Sequence, residues 1–162
     1  MSQNLDPSIK TLQIANALLL PEVIKLTNEG RTVTLPLRGY SMRPFLEDGR
    51  DKALLQKPAN IKVGDAVLAE IAPRHYVLHR IISIEGNAVT LLGDGNLATE
   101  HCRLEDVKAT AIGFYRKGRE TLDSTEGRKW RTYSWVWMHL RPFRRYLLAF
   151  YRRIWLKLFK PI

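Results

Sequence analysis

The pattern of apolar positions divides the chain into three stretches. From residue 8 to 28, Ile9, Leu12, Leu19, Val23 and Leu26 recur at helical spacing, with Asp6-Pro7 as a cap and first-turn pair. Pro21 marks a kink or a split in this helix, and Asn28-Glu29-Gly30 ends it. From Arg31 the period becomes two. Val33, Leu35 and Leu37 alternate with Thr32, Thr34 and Pro36, which predicts a strand at a sheet edge because proline cannot donate to a ladder. Residues 39–49 are turn-rich, with a short helix expected after Pro44. Further strands are expected at 52–56, 65–71, 76–84, 88–93 and 107–116. They are short, evenly spaced and separated by Gly, Asn, Asp or Pro. Glu85-Gly86-Asn87 and Gly93-Asp94-Gly95-Asn96 have hairpin-turn compositions. This pattern predicts a mainly β domain, antiparallel and partly closed into a barrel. Residues 117–129 read as a polar linker, 130–141 as a helix, and 142–160 as a second helix with Pro142 in its first turn. The expected organisation is a helical segment at 1–30, the β domain at 31–116, the linker at 117–129 and a helical tail at 130–162.

Composition sharpens this division. The chain has 162 residues, of which 45% are hydrophobic and 26% charged, so wholesale disorder is excluded. Residues 1–115 contain 13 basic and 13 acidic side chains, whereas residues 116–162 contain 13 basic and only three acidic ones. The net charge of +10 therefore lies in residues 116–162. Cys102 is the single cysteine, which excludes an intrachain disulfide and is compatible with a reducing compartment. No zinc-like spacing of Cys, His, Asp and Glu is present, so no metal and no cofactor is expected. Asp6 stands where a secretory signal would be basic, and the Leu18-Leu19-Leu20 run meets Pro21 and Glu22 at once. Neither a signal peptide nor a membrane-spanning helix is expected, and the default location is the cytoplasm.

Three places carry candidate chemistry. Gly39-Tyr40-Ser41-Met42-Arg43-Pro44 sets a serine between a flexible residue and a proline-bounded turn. Such a corner exposes the Ser41 hydroxyl near backbone N–H groups that can hold an oxyanion. Taken alone, the segment also fits a plain loop. His79 lies on the strand Tyr76 to Ile84 with Val77 and Ile81 on the same face, and an imidazole near its ordinary pKa of about 6.5 can accept a hydroxyl proton at neutral pH. One hairpin later come two carboxylates, Asp94 and Glu100. Either can accept the His79 ring N–H and fix its tautomer.

The ordered segments Gly39-x-Ser41-Met42-x-Pro44, Val63-Gly64-Asp65-Ala66-Val67, His79-Arg80-Ile81-Ile82 and Gly93-Asp94-Gly95-Asn96 resemble the signal peptidases. The match covers about residues 31–116. It is nearest the endoplasmic-reticulum and archaeal branch, which uses a serine–histidine pair. Bacterial type I enzymes and self-cleaving SOS repressors of the same clan carry a lysine where this chain has His79. The resemblance implies a serine endopeptidase that cleaves a precursor or leader-like peptide. Ser41 would attack the peptide carbonyl, His79 would act as general base and then as general acid, and the Ser41 N–H would help hold the oxyanion. It also implies a preference for small side chains just before the cleaved bond, bound along a strand edge, with Val33 and Leu35 as neighbours of that edge. The chain departs from the family at Gly49-Arg50-Asp51, at Glu100 where the branch has Asp, and at Gly39 where relatives often have Ser. It also departs in having no expected membrane-spanning anchor. A peptide-binding relative without catalysis is the alternative reading.

The tail contains all four tryptophans, Trp130, Trp135, Trp137 and Trp155. Phe143, Leu147, Phe150, Tyr151, Ile154 and Leu158 form an apolar stripe beside Arg144, Arg145, Arg152, Arg153, Lys157 and Lys160. Trp and Tyr next to Lys and Arg suit the interface of an anionic membrane, so residues 130–160 are expected on a membrane surface as a peripheral anchor. A helical cap on the protein or on a partner is the competing expectation. Nucleic acid ranks third, since no binding motif accompanies the arginines. The oligomeric state is open.

Overall fold

The computed structural model describes the backbone from Pro7 and the side chains from Leu18 to Ile162. The expected cap at Asp6, and the side chains of Ile9 and Leu12, lie outside the described residues. Helix α1 (Pro7–Asn28) runs through Pro21 without a break. It packs through Leu20, Val23 and Ile24, whereas Leu19, expected on that face, is exposed. Gly30 ends it with φ of 85°, where glycine avoids the Cβ clash of the left-handed region.

Eight strands follow: β1 (Val33–Pro36), β2 (Lys52–Gln56), β3 (Ala66–Ala72), β4 (His75–Glu85), β5 (Ala88–Leu92), β6 (Glu100–Arg103), β7 (Val107–Tyr115) and β8 (Leu122–Ser124). They form one sheet in the order β1-β2-β7-β3-β4-β5-β6, with β8 added to β7 beyond the end of β3. Every pairing is antiparallel. β1 is an edge strand, as Pro36 requires. The sheet is not closed: β1 and β6 remain edges, so the partly closed barrel is corrected to an open, curled sheet. Irregular registers in β2–β7, β3–β7, β3–β4 and β4–β5 supply the bends that bring β6 against β3.

The curl produces two apolar clusters. One lies between the sheet and the helices, and joins Leu20, Leu35, Leu55, Leu68, Phe114 and Trp130. The other sits inside the curl of β3, β4, β5 and β7, around Val67, Ile81, Val89 and Leu91. β4 crosses both, which is why His79 and Arg80, adjacent in sequence and pointing to opposite faces, are both buried.

Downstream of β7 the structure corrects the expected division. The segment 117–129 contains β8 and the start of α2 (Arg128–His139), so it is part of the sheet and not a linker. The expected single helix at 142–160 is a 3-10 turn (Arg141–Phe143), α3 (Arg144–Phe150), a π-helical turn (Tyr151–Trp155) and a last turn, α4 (Leu156–Leu158). Pro142 sits in the 3-10 turn. The short helix expected after Pro44 is a run of turns. No helix of the described residues is long and apolar enough to cross a membrane.

Candidate active site

Ser41 sits in the connection between β1 and β2, which returns on itself because Asp51 ties it down. The buried Asp51 carboxylate accepts the N–H of Glu47 and of Lys117, both at 2.8 Å, and both arms of Arg50. Burial alone would push this carboxyl up, but these donors outweigh it and hold the group below the usual carboxylate range. Arg50 therefore serves the loop as the counter-ion of Asp51. The Gly39 N–H donates to Asp48 Oδ1 at 2.8 Å, and Gly39 itself has φ of 85°. Arg43 pairs with Glu47 and stacks 3.9 Å from the Tyr40 ring centroid. The bond from Arg43 to Pro44 is cis.

The loop between β5 and β6 clamps this turn from the other side. Gly95 N–H donates to the Ser41 carbonyl at 2.7 Å. A Cβ on Gly93 would stand 2.5 Å from that carbonyl and 3.0 Å from His79 Nε2, and one on Gly95 would stand 2.7 Å from the Tyr40 carbonyl. Glycine is required at both positions because the serine turn lies directly against them. Among the described residues the Ser41 N–H donates to no protein acceptor, which leaves it free for an oxyanion.

His79 is 3% exposed and faces this turn. Its Nδ1 hydrogen-bonds the Glu100 carboxylate, at the start of β6, so Nε2 is left toward Gly93 and Ser41. Burial lowers the His79 pKa from its ordinary value, against the opposing pull of Glu100 and Asp94. The lowered pKa favours the neutral imidazole, and in the tautomer whose Nδ1–H donates to Glu100 the lone pair lies on Nε2.

The choice left open between two acids resolves by geometry. Asp94 does not reach His79. Its carboxylate is 1% exposed and bonded bidentately to Arg80, with Nε–Oδ1 at 2.9 Å and Nη2–Oδ2 at 2.8 Å. Tyr133 O–H donates to it at 2.6 Å, and Trp137 Nε1–H donates to its carbonyl at 3.2 Å. Arg80 completes its donors on the Gly64 carbonyl and Ser134 Oγ. Asp94 thus anchors the glycine loop to β4 and α2. Arg80 was legible as a signal, since a charge between Leu78 and Ile81 in an apolar strand demands a buried partner. Tyr133 and Trp137 were not legible in this role.

A cavity of about 130 Å³ opens between Ser41 and His79. Leu37, Met42, Leu46, Tyr76 and Leu78 make its apolar wall. Val33 and Leu35 lie on the edge strand β1, with Leu35 buried in the core and Val33 half-buried against it, and neither lines this cavity. Clefts of about 400 Å³ flank α2, and the serine of one of them, Ser134, accepts a hydrogen bond from Arg80. No group of three metal-ligating side chains converges among the described residues.

Replacing Gly93 by Ala is expected to force the Ser41 turn away from Nε2. A displacement near 1 Å costs about 100-fold in rate. We expect a loss of that order in the reaction of Ser41 with a serine-directed acylating probe, with the protein still folded. Wild-type reactivity in the Gly93→Ala protein would contradict the packing argument.

The tail residues divide in two. Trp130 packs 4.5 Å from the Phe114 ring centroid, and Trp130, Trp137 and Arg144 are buried, so they belong to the interior and not to a membrane surface. Trp135 and Arg145 are exposed, Trp155 is half-buried beside Phe159, and Arg153 is exposed. Arg152 donates to the Gly95 carbonyl at 2.6 Å, bracing the glycine loop from the tail side. Neither a scan of protein-family models nor a search of curated proteins finds a match for this sequence.

Proposed function

We propose that this protein is a serine endopeptidase that cleaves a precursor or leader-like peptide. Ser41 is its nucleophile, His79 its general base and Glu100 the residue that positions His79. The observation that carries the reading is that Glu100 holds His79 through Nδ1 while His79 and the Ser41 turn meet at Gly93 and line one cavity. A buried neutral imidazole oriented through Nδ1 is suited to take the serine proton and return it to the leaving amine. The free Ser41 N–H supports the developing oxyanion, and water then hydrolyses the acyl-enzyme. The small cavity beside Ser41, with Leu37, Met42 and Leu46 in its wall, supports a small side chain just before the cleaved bond.

Cleavage of a randomised peptide library, followed by mass spectrometry of the products, tests this. We expect cuts after small residues such as Ala, absent in Ser41→Ala. Cleavage that persists in Ser41→Ala, or that follows large aromatic residues, would overturn it. A non-catalytic peptide binder would hold the same peptides in wild type and Ser41→Ala alike, with no product.

A further inference from the structure

The helical run after α2 carries a surface that the peptidase reading does not use. Its inner side is Arg144, Leu148 and Tyr151, all buried. Its outer side is a stripe at three- and four-residue spacing: Phe143, Tyr146, Phe150, Ile154 and Leu158 are 61%, 71%, 53%, 46% and 69% exposed. No described element covers it. Large apolar side chains grouped in this way mark a contact surface, since isolated exposed ones are commonplace but a continuous stripe is not.

The charges beside the stripe are of one sign. Arg145, Arg153, Lys157 and Lys160 are exposed, and residues 141–160 contain no Asp or Glu. An apolar stripe with aromatic rings and an unbroken cationic margin complements a surface that is anionic outside and apolar beneath. A second copy of this chain would set like charges against each other. We infer that the face formed by Phe143, Tyr146, Phe150, Ile154 and Leu158 lies in the headgroup boundary of an anionic lipid membrane, with Arg145, Arg153 and Lys157 on its lipid phosphates.

The contact differs from the expectation for the whole tail. Trp130 and Trp137 face inward and serve the fold, and the membrane-facing set begins at Phe143. Arg152, on the same run, holds the Gly95 carbonyl, so the docked face adjoins the glycine loop. The inference needs no catalysis and stands apart from the peptidase reading.

Flotation of the full chain with vesicles tests it. One set contains phosphatidylcholine with phosphatidylserine, the other phosphatidylcholine alone. We expect the protein to float with the anionic set, with about tenfold weaker binding to the neutral set and a similar loss at high salt. Phe150→Ser with Ile154→Ser, and Arg145→Glu with Lys157→Glu, alter only exposed positions and should each weaken anionic binding about tenfold while unfolding at the wild-type temperature. Failure of the folded wild type to float would overturn the inference, including the case where it self-associates or binds a protein through this face instead. So would flotation that both variants leave unchanged.

Discussion

His79→Ala is expected to reduce peptide cleavage by about 10⁴-fold, the scale at which a serine loses its general base. The expectation follows from where the imidazole sits. His79 is buried, bonded through Nδ1 to Glu100 and close to Gly93, and among the described residues no other imidazole, carboxylate or lysine lines the cavity beside Ser41. The same geometry sets the pH profile. Burial depresses the His79 pKa, so the neutral, competent form persists below the ordinary imidazole value of about 6.5. The acid limb of kcat/KM should have its midpoint below that value. Stability follows the same sign: a depressed folded pKa gives stability that is present above about 6.5 and lost as pH falls through the folded value. Glu100→Gln should also cut activity, by about 100-fold or more, because the amide no longer selects the Nδ1–H tautomer. Its fold should be unaffected, since Glu100 anchors no other element. An acid limb at or above the ordinary imidazole value, or full activity in His79→Ala, would contradict these assignments.

Asp94→Ala is expected to act on the fold. Arg80 and Asp94 are fully buried, at 0% and 1% exposure of their side chains. Removing the carboxylate leaves the guanidinium charged, dry and short of two acceptors, and it strands the Tyr133 hydroxyl. Breaking one side of such a pair costs about 3–5 kcal/mol. For a domain of this size that lowers the melting temperature by roughly 10 °C. Chemical and thermal unfolding would measure it, and a change within about 0.5 kcal/mol would place the site among ordinary surface substitutions and refute the anchor. The contrast with Glu100→Gln is informative. Two carboxylates close together in the chain are expected to separate into one that governs stability and one that governs rate.

That separation was not readable from the chain. Asp94 and Glu100 follow His79 in the same hairpin region, and either carboxylate can orient an imidazole. Only the curl of β4, β5 and β6, produced by irregular registers, turns Glu100 toward His79 and Asp94 toward Arg80. The strands were legible wherever alternation was strong and bounded by Gly, Asn or Pro, as in β1, β2, β3, β4, β5 and β7. β6, with the sequence Glu100-His101-Cys102-Arg103, and β8 at Leu122–Ser124 are short and largely polar. They are strands because a neighbour offers them a ladder, a property of the partner and not of their own pattern. The amphipathic tail was legible as a helix, but the face it buries was not. Trp130 and Trp137 turn inward because β7 presents Phe114 to the first and the β5–β6 loop presents the Asp94 carbonyl to the second. Ser41, His79 and the glycine loop stood out as a set only through the resemblance of their ordered segments to the signal peptidases, since taken singly the serine segment fits a plain loop and the histidine a core position.

The central claim is an activated Ser41, and the most direct measurement is its acylation. Full-length protein would be treated with a serine-reactive acylating probe, the adduct mapped by peptide mass spectrometry, and Ser41→Ala and His79→Ala treated in parallel. The account predicts a single adduct on Ser41 in the wild type, none in Ser41→Ala, and a rate reduced by about 10⁴-fold in His79→Ala. No adduct on the folded wild type, or equal labelling of wild type and His79→Ala, would contradict it.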